Sequence, residues 1–245
     1  MKRTKCTTTT KRQREPYTGL VSVILLADVP GYRMKSYGPT SLLEVKKNRL
    51  IDHQIKAVCN AFPNSEIVIC TGFESEKINR YVRYTYDNSS IRMVENQLFN
   101  NTNSCESLRL ALNNIHNDDL FIIDGSLLFT NKALQSCKMQ ESLVYIDDKC
   151  GEQFEVGVNI NENATVEYFS FGASKGWSEI MFLKGEKTIE QLRRILYMET
   201  FKTKFIFEAI NELIRVDHTI KAVKNRAKIH KINNIKTYNE LKGKK

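Results

Sequence analysis

The segment LLADVPGYRMKSYGPTSLLEV, residues 25–45, contains the residue types from which a phosphate site is built. A phosphate chain is held by backbone N–H groups at close approach, which needs a small residue, and by a cation that balances its charge. Gly31 permits that approach, and Arg33 offers a planar fork of donors. A surface turn explains a lone Gly and Arg more often than a phosphate site does, so the loop alone leaves both readings open. Further along, NTNSCESL (101–108) opens a helical pattern. Its Ser104 reads either as a helix cap with Ser107 in the first turn, or, with Asn103 and Ser107, as a contact to a ligand. Six cysteines without a CxxC pair and four histidines without zinc-ligand spacing point to reduced, structural thiols and no metal cluster of that type. His53 and His116 lie on helical segments with no partner acid fixed by spacing, and read as surface or packing residues.

These residues need a scaffold, and the apolar pattern supplies one. VSVILLA (21–27) is a short buried strand, followed by RLIDHQIKAVCNAF, whose Leu50, Ile51, Ile55 and Val58 form a helical stripe with Asn48 as a candidate cap. The alternation continues with strand EIVICT (66–71), helix ESEKINRYV (74–82), strand IRMV (91–94), helix SCESLRLALNNI (104–115) and strand DLFIID (119–124). From Leu143 strands dominate: SLVYIDD, QFEVGVNI, TVEYFSF and WSEIMFL, then helices KTIEQLRRILYMET and KFIFEAINELIRV, with AKIHKI returning as a last strand. The expected fold is α/β: a mainly parallel, Rossmann-like mixed sheet covered by helices on both faces, with ligands beyond the carboxyl ends of the strands. Trp177 is expected to pack between sheet and helix, and Tyr81, Tyr84 and Tyr86 to line a sheet edge.

At 245 residues one domain suffices, spanning 19–241 between a flexible basic arm (1–18) and a short basic tail (242–245). The formal charge of +9 sits at the ends. Residues 1–18 carry six Lys/Arg and one acid, residues 221–245 carry nine and one, and the 22 basic and 26 acidic residues between them leave the body net acidic. The termini thus offer docking elements for a polyanion or an acidic protein face, or are ordinary solvated ends. No apolar run is long enough to span a membrane and the N-terminus lacks a secretory core, so a soluble cytoplasmic protein without a membrane partner is expected.

Taken in order, LLADVPGYRM, Pro39, LLEV, RLIDHQI, EIVICTGFESEKINRYV, NTNSCESL and DLFIIDGSLLF resemble the nucleotidyltransferases that join a nucleotide to a phosphorylated sugar or phosphocholine, over about residues 20–241. NTNSCESL is most similar to the small sugar-phosphate and phosphocholine cytidylyltransferase type. The resemblance implies a glycosyltransferase A-type fold, a nucleoside triphosphate, a phosphorylated small-molecule acceptor and a magnesium ion. The implied reaction is attack of a substrate phosphate oxygen on the α-phosphorus with release of pyrophosphate. It places Ala27, Gly31, Arg33 and Met34 on the nucleotide, Asn103, Ser104 and Ser107 on the substrate, and Arg33, Asp124 and Glu208 among the catalytic groups.

The match is uneven at the charged positions. Asp28 and Val29 replace a small residue and a glycine of the family's loop, and Thr40 stands for its lysine. The two metal-holding aspartates fall on Ser126, with Asp124 two places earlier, and on Asn233. Neutral side chains there cannot offset a dication's charge. Two readings follow: a nucleotidyltransferase-like chain with reduced or lost catalysis that serves as a binding or scaffold module and needs no cofactor, or an active magnesium-dependent nucleotidyltransferase. A third makes the basic ends the whole function, as a nucleic-acid binder.

Overall fold

The computed structural model describes residues 19–86, 90–135, 139–148, 154–225 and 227–242. The expected arm 1–18, Cys6, Cys137, Cys150 and residues 243–245 of the tail lie outside them. In chain order the elements are β1 (Ser22–Ala27), β2 (Glu44–Val45), β3 (Asn48–Arg49), α1 (Leu50–Ala61), β4 (Glu66–Thr71), α2 (Ser75–Thr85), β5 (Ile91–Glu95), α3 (Ser104–Leu112), β6 (Asp119–Asp124), β7 (Leu127–Leu128), α4 (Asn131–Leu134), β8 (Leu143–Asp147), β9 (Val156–Ile160), β10 (Val166–Phe171), β11 (Lys175–Lys184), α5 (Glu186–Leu196), α6 (Ile206–Arg215), β12 (Lys221–Lys224), β13 (His230–Lys231) and α7 (Ile235–Lys242).

Nine strands form one mixed sheet. Its first half is the parallel set β6–β1–β4–β5, in which Leu26 of β1 stands opposite Asp124 on one side and Cys70 on the other. In the second half β11 runs antiparallel to β6, β8 and β9, and β12 returns parallel to β8. Period-two alternation along β1 sends Ile24 and Leu26 to one face, against Leu108 of α3, Leu192 of α5 and Ile210 of α6. Val23 and Leu25 face the other way, against Ile55 and Val58 of α1 and Val82 of α2. Helices thus cover both faces, which is why β1, buried along its whole length, reads as an uninterrupted apolar run.

Several local expectations shift. α1 begins after Arg49 rather than at an Asn48 cap, because Asp52 turns back to accept the Arg49 N–H at 3.0 Å. α3 is capped by Asn103, whose side chain accepts the Ser104 N–H at 2.8 Å, while the Ser104 hydroxyl accepts the Ile206 N–H at 3.1 Å. Tyr81 and Tyr86 donate to Asp52 and so tie α2 to α1, with Tyr86 at a β-bridge position. AKIHKI does not join the main sheet: only His230 and Lys231 pair, and they pair with β7. Lys242, expected in a tail, closes α7. The expectation of reduced thiols is corrected at Cys59, which is disulfide-bonded, whereas Cys70 and Cys105 are free and buried.

Candidate active-site cleft

The carboxyl ends of β1 and β6 open into a cleft with two adjoining lobes. The first, about 270 Å³, is lined by the β1 loop (Ala27, Val29, Gly31, Tyr32), by Thr40 and Ser41, by Asp124 and Ser126, and by Lys231 and Asn233. The second, about 280 Å³, has apolar walls from Val156, Phe171, Trp177, Phe205 and Phe207, with Asn103 and Ser104 at its edge. Asp124, Glu155 and Lys231 border both lobes.

Main-chain contacts set the floor. A Cβ at Gly125 would lie 2.4 Å from the Leu26 carbonyl oxygen, so only glycine lets the turn after β6 pack on β1. Gln54 of α1 is buried and donates to the Leu127 carbonyl at 2.8 Å, fixing the same turn from below. β13 on β7 then brings the C-terminal chain across, with the Ile232 N–H donating to the Ser126 carbonyl at 2.9 Å. By these steps Asp124, Ser126 and Asn233, distant in sequence, meet beside Gly31.

The β1 loop is closed upon itself. The Gly31 N–H donates to the Thr40 hydroxyl at 3.0 Å, and the Tyr32 N–H donates to the Asn233 carbonyl at 2.8 Å. Gly31 also lacks room for a side chain, because a Cβ there would meet the Met34 sulfur at 2.8 Å and the Asn233 carbonyl at 3.2 Å. Arg33 adopts a left-handed φ of 54° and lies exposed with its guanidinium over the Tyr32 ring, 5.0 Å from the centroid, outside both lobes. Met34 is fully buried in a small cluster with Leu43, Ile232 and Tyr238. Ser41 lines the first lobe with a buried hydroxyl that has no hydrogen-bond partner among the described residues.

Asp28 borders the second lobe but is engaged within the protein. It is buried and accepts from Ser107 at 2.5 Å, and Ser107 in turn accepts from Asn96 at 2.9 Å. Burial pushes the Asp28 carboxyl above its usual range; the Ser107 bond opposes this and the charge of Asp124 adds to it. Ser107 is therefore fully buried behind the second lobe, while its neighbours Asn103 and Ser104 border that lobe. Glu208 is outside the cleft: it accepts the Phe205 N–H at 2.9 Å and caps α6.

Three residues with no sequence motif complete the centre. Glu179, at a φ of 56° in an irregular stretch of β11, pairs with Lys231 at 2.5 Å, and Glu155 lies beside them at the rim. Burial, then the charge of Asp124, raises the Glu179 carboxyl to about 7 against the opposing pull of Lys231. Burial works against the charged lysine as well, but Asp124 and Glu179 outweigh it and hold the ammonium above its ordinary pKa. A lone acid inside the apolar run WSEIMFL was the available signal for Glu179, since a strand buries such a group only with a partner.

Of the three positions the resemblance gives to magnesium, only Asp124 carries a carboxylate. That ion takes six hard oxygens in octahedral geometry and favours carboxylates. Here Asp124 Oδ1 accepts both the N–H and the hydroxyl of Ser126, and Asn233 Oδ1 accepts from Asn234 at 2.8 Å. Among the described residues no group of three His, Cys, Asp or Glu is arranged to hold a metal.

Residues 42–168 match the family described as Domain of unknown function (DUF6564), a little over half of the chain. The chain belongs to this family. No curated protein matches the DUF6564 chain in sequence. Solved structures do match it in fold. The CTP:phosphocholine cytidylyltransferase LicC from Streptococcus pneumoniae aligns with TM-score 0.71 and 18% identity, covering 91% of this chain and 97% of that one. A UDP-glucose pyrophosphorylase complexed with UDP-glucose aligns with TM-score 0.73 and 14% identity over 91% and 97% of the two chains. The inositol-1-phosphate CTP transferase from T. maritima aligns with TM-score 0.68 and 14% identity over 90% and 94%. The DUF6564 chain thus has the nucleotidyltransferase fold the resemblance implied, and no helix among its described residues is long and apolar enough to cross a membrane.

Proposed function

We propose that this chain is a nucleotidyltransferase-like protein in which catalysis is reduced or lost, and that its cleft serves as a binding or scaffold module. One observation carries the reading. At two positions where the resemblance implies a charged group, the Thr40 hydroxyl accepts the Gly31 N–H and the Asn233 main-chain carbonyl accepts the Tyr32 N–H, both of the β1 loop. The amides that would face a phosphate chain are spent on the protein itself, and Arg33, the cation of that loop, stacks on Tyr32 outside the cleft. Phosphoryl transfer between two anions depends on positive charge around the triphosphate, so the lack of a lysine at Thr40 and of metal carboxylates bears on the rate rather than on affinity alone.

The cleft retains what a binding site needs: two joined lobes, an apolar aromatic wall, and polar groups that converge from Ser41, Asn103, Asp124 and Glu179. A nucleoside or phosphorylated small molecule is the ligand class this shape and fold suggest. The test is pyrophosphate release across nucleoside triphosphates paired with sugar 1-phosphates, inositol 1-phosphate and phosphocholine, in magnesium, beside an active cytidylyltransferase of the same fold. The expected result is release at least about a thousandfold slower than that enzyme, equivalent to roughly 4 kcal/mol of transition-state stabilisation. Turnover within a factor of ten of it would establish the alternative, an active metal-dependent nucleotidyltransferase, and micromolar triphosphate binding that requires magnesium would count heavily against the proposed reading.

A further inference from the structure

The structure assigns to Lys231 the role of a tethered cation: its ammonium, paired with Glu179 and bordering the same two lobes as Asp124, supplies the positive charge that a divalent ion would bring, so the cleft receives its ligands without one. The chain path puts the lysine there. β13 pairs Lys231 with Leu127 immediately after the turn that carries Asp124 and Ser126, and Asn233 follows two residues later. The resemblance implies a metal held by the positions of Ser126 and Asn233, and the strand just before Asn233 carries an ammonium into the lobe that both line.

Geometry on the facing side completes the argument. β11 departs from regular pairing between Trp177 and Met181, and Glu179 takes a left-handed φ of 56° there, a conformation few non-glycine residues adopt. The departure carries a carboxylate to Lys231 Nζ at 2.5 Å, with the lysine side chain 20% and the glutamate 12% exposed. The second oxygen of Glu179 is buried without a hydrogen-bond partner among the described residues. Asp124 acts on the same ammonium from the β6 side. One fixed positive charge, paired with Glu179, thus stands in the cleft that Asp124 borders, and it would repel a dication brought to Asp124 in a poorly solvated site. Ser126 and Asn233 need not be acidic, because the charge they would hold in place is covalently attached to the chain.

This inference rests on the cleft's geometry and not on lost catalysis: a chain that transferred nucleotides without a metal would overturn the proposed function and leave Lys231 in this role. The test is binding of Mn2+ alone to the full chain, read by the loss of the free-ion electron paramagnetic resonance signal. The wild type and Lys231→Arg are expected to retain no Mn2+ below millimolar concentrations. Lys231→Ala, folded by circular dichroism, is expected to bind it at least about tenfold more tightly, and Lys231→Ala with Asp124→Asn to lose that gain. Micromolar Mn2+ binding by the wild type, or no gain in folded Lys231→Ala, overturns the inference. If Lys231→Ala does not fold, Lys231→Gln with Glu179→Gln leaves no buried charge unpaired. It is expected to gain Mn2+ affinity through Asp124, and its failure to do so overturns the inference equally.

Discussion

At the scale of single residues, the cleft is defined by what its polar groups already hold. Thr40 is the plainest case, because its hydroxyl accepts the Gly31 N–H and little else about the side chain can matter in so buried a position. Thr40→Val keeps the shape and removes the acceptor, so it should destabilise the chain by about 1–2 kcal/mol, measured by urea unfolding. A neutral result would mean the Gly31 N–H finds solvent instead. The loop's residues were legible in the sequence as a family outline, and Ala27, Gly31, Asp124, Ser126 and Asn233 do line one lobe. Arg33, Met34, Ser107 and Glu208 lie elsewhere, since a motif fixes chain position but not the direction of a side chain. Lys231 and Glu179 were invisible as a pair. The lone acid in WSEIMFL calls for a partner, but the sequence does not say that it stands 52 residues away, and only the fold brings the two together.

At the scale of elements, the runs that read best were those buried on both faces. EIVICT and DLFIID emerge with the bounds expected, as β4 and β6, because parallel strands under two helical layers must be continuously apolar. β12 and α7 were not legible, since KAVK is too short to show a period and IKTYNELK buries only Tyr238 and Leu241, while AKIHKI was read as a strand but only its His230 and Lys231 pair, and outside the main sheet. The strands also need anchoring at the end opposite the cleft, where Glu66 gathers Ser22 of β1, Arg92 of β5, and His116 and Asn117 ahead of β6. Burial opposes its charge, but the bonds from Ser22, Arg92 and His116 win and lower its carboxyl to about 2. The native chain therefore binds fewer protons than the unfolded chain between about pH 4.5 and 2. Its stability should fall as pH drops through that window, and Glu66→Gln should flatten this part of a stability–pH profile while lowering stability at neutral pH.

At the scale of the whole molecule, charge is segregated: a net acidic body between basic ends. The cleft draws on both parts, with Asp124, Glu155 and Glu179 from the acidic body and Lys231 from the basic C-terminal stretch, whereas residues 1–18 hold six basic residues and one acid. A polyanion would engage the ends. On that reading the full chain should bind heparin with a steep inverse dependence on salt, and removal of residues 1–18 should shift its elution to lower salt without altering its melting temperature. Elution unchanged by the truncation would assign the basicity to solubility alone.

Gly125 gives the cleft a further property. Its missing side chain allows two strands to touch through their main chains, with no rotamer in between to absorb error. The main chain of Asp124 is thereby held by packed backbone, and its carboxylate is held in turn by the Ser126 N–H at 2.7 Å. Whatever this cleft binds, it meets a template whose spacing was settled when the sheet closed, so discrimination among ligands should rest on shape fixed beforehand rather than on adjustment at contact.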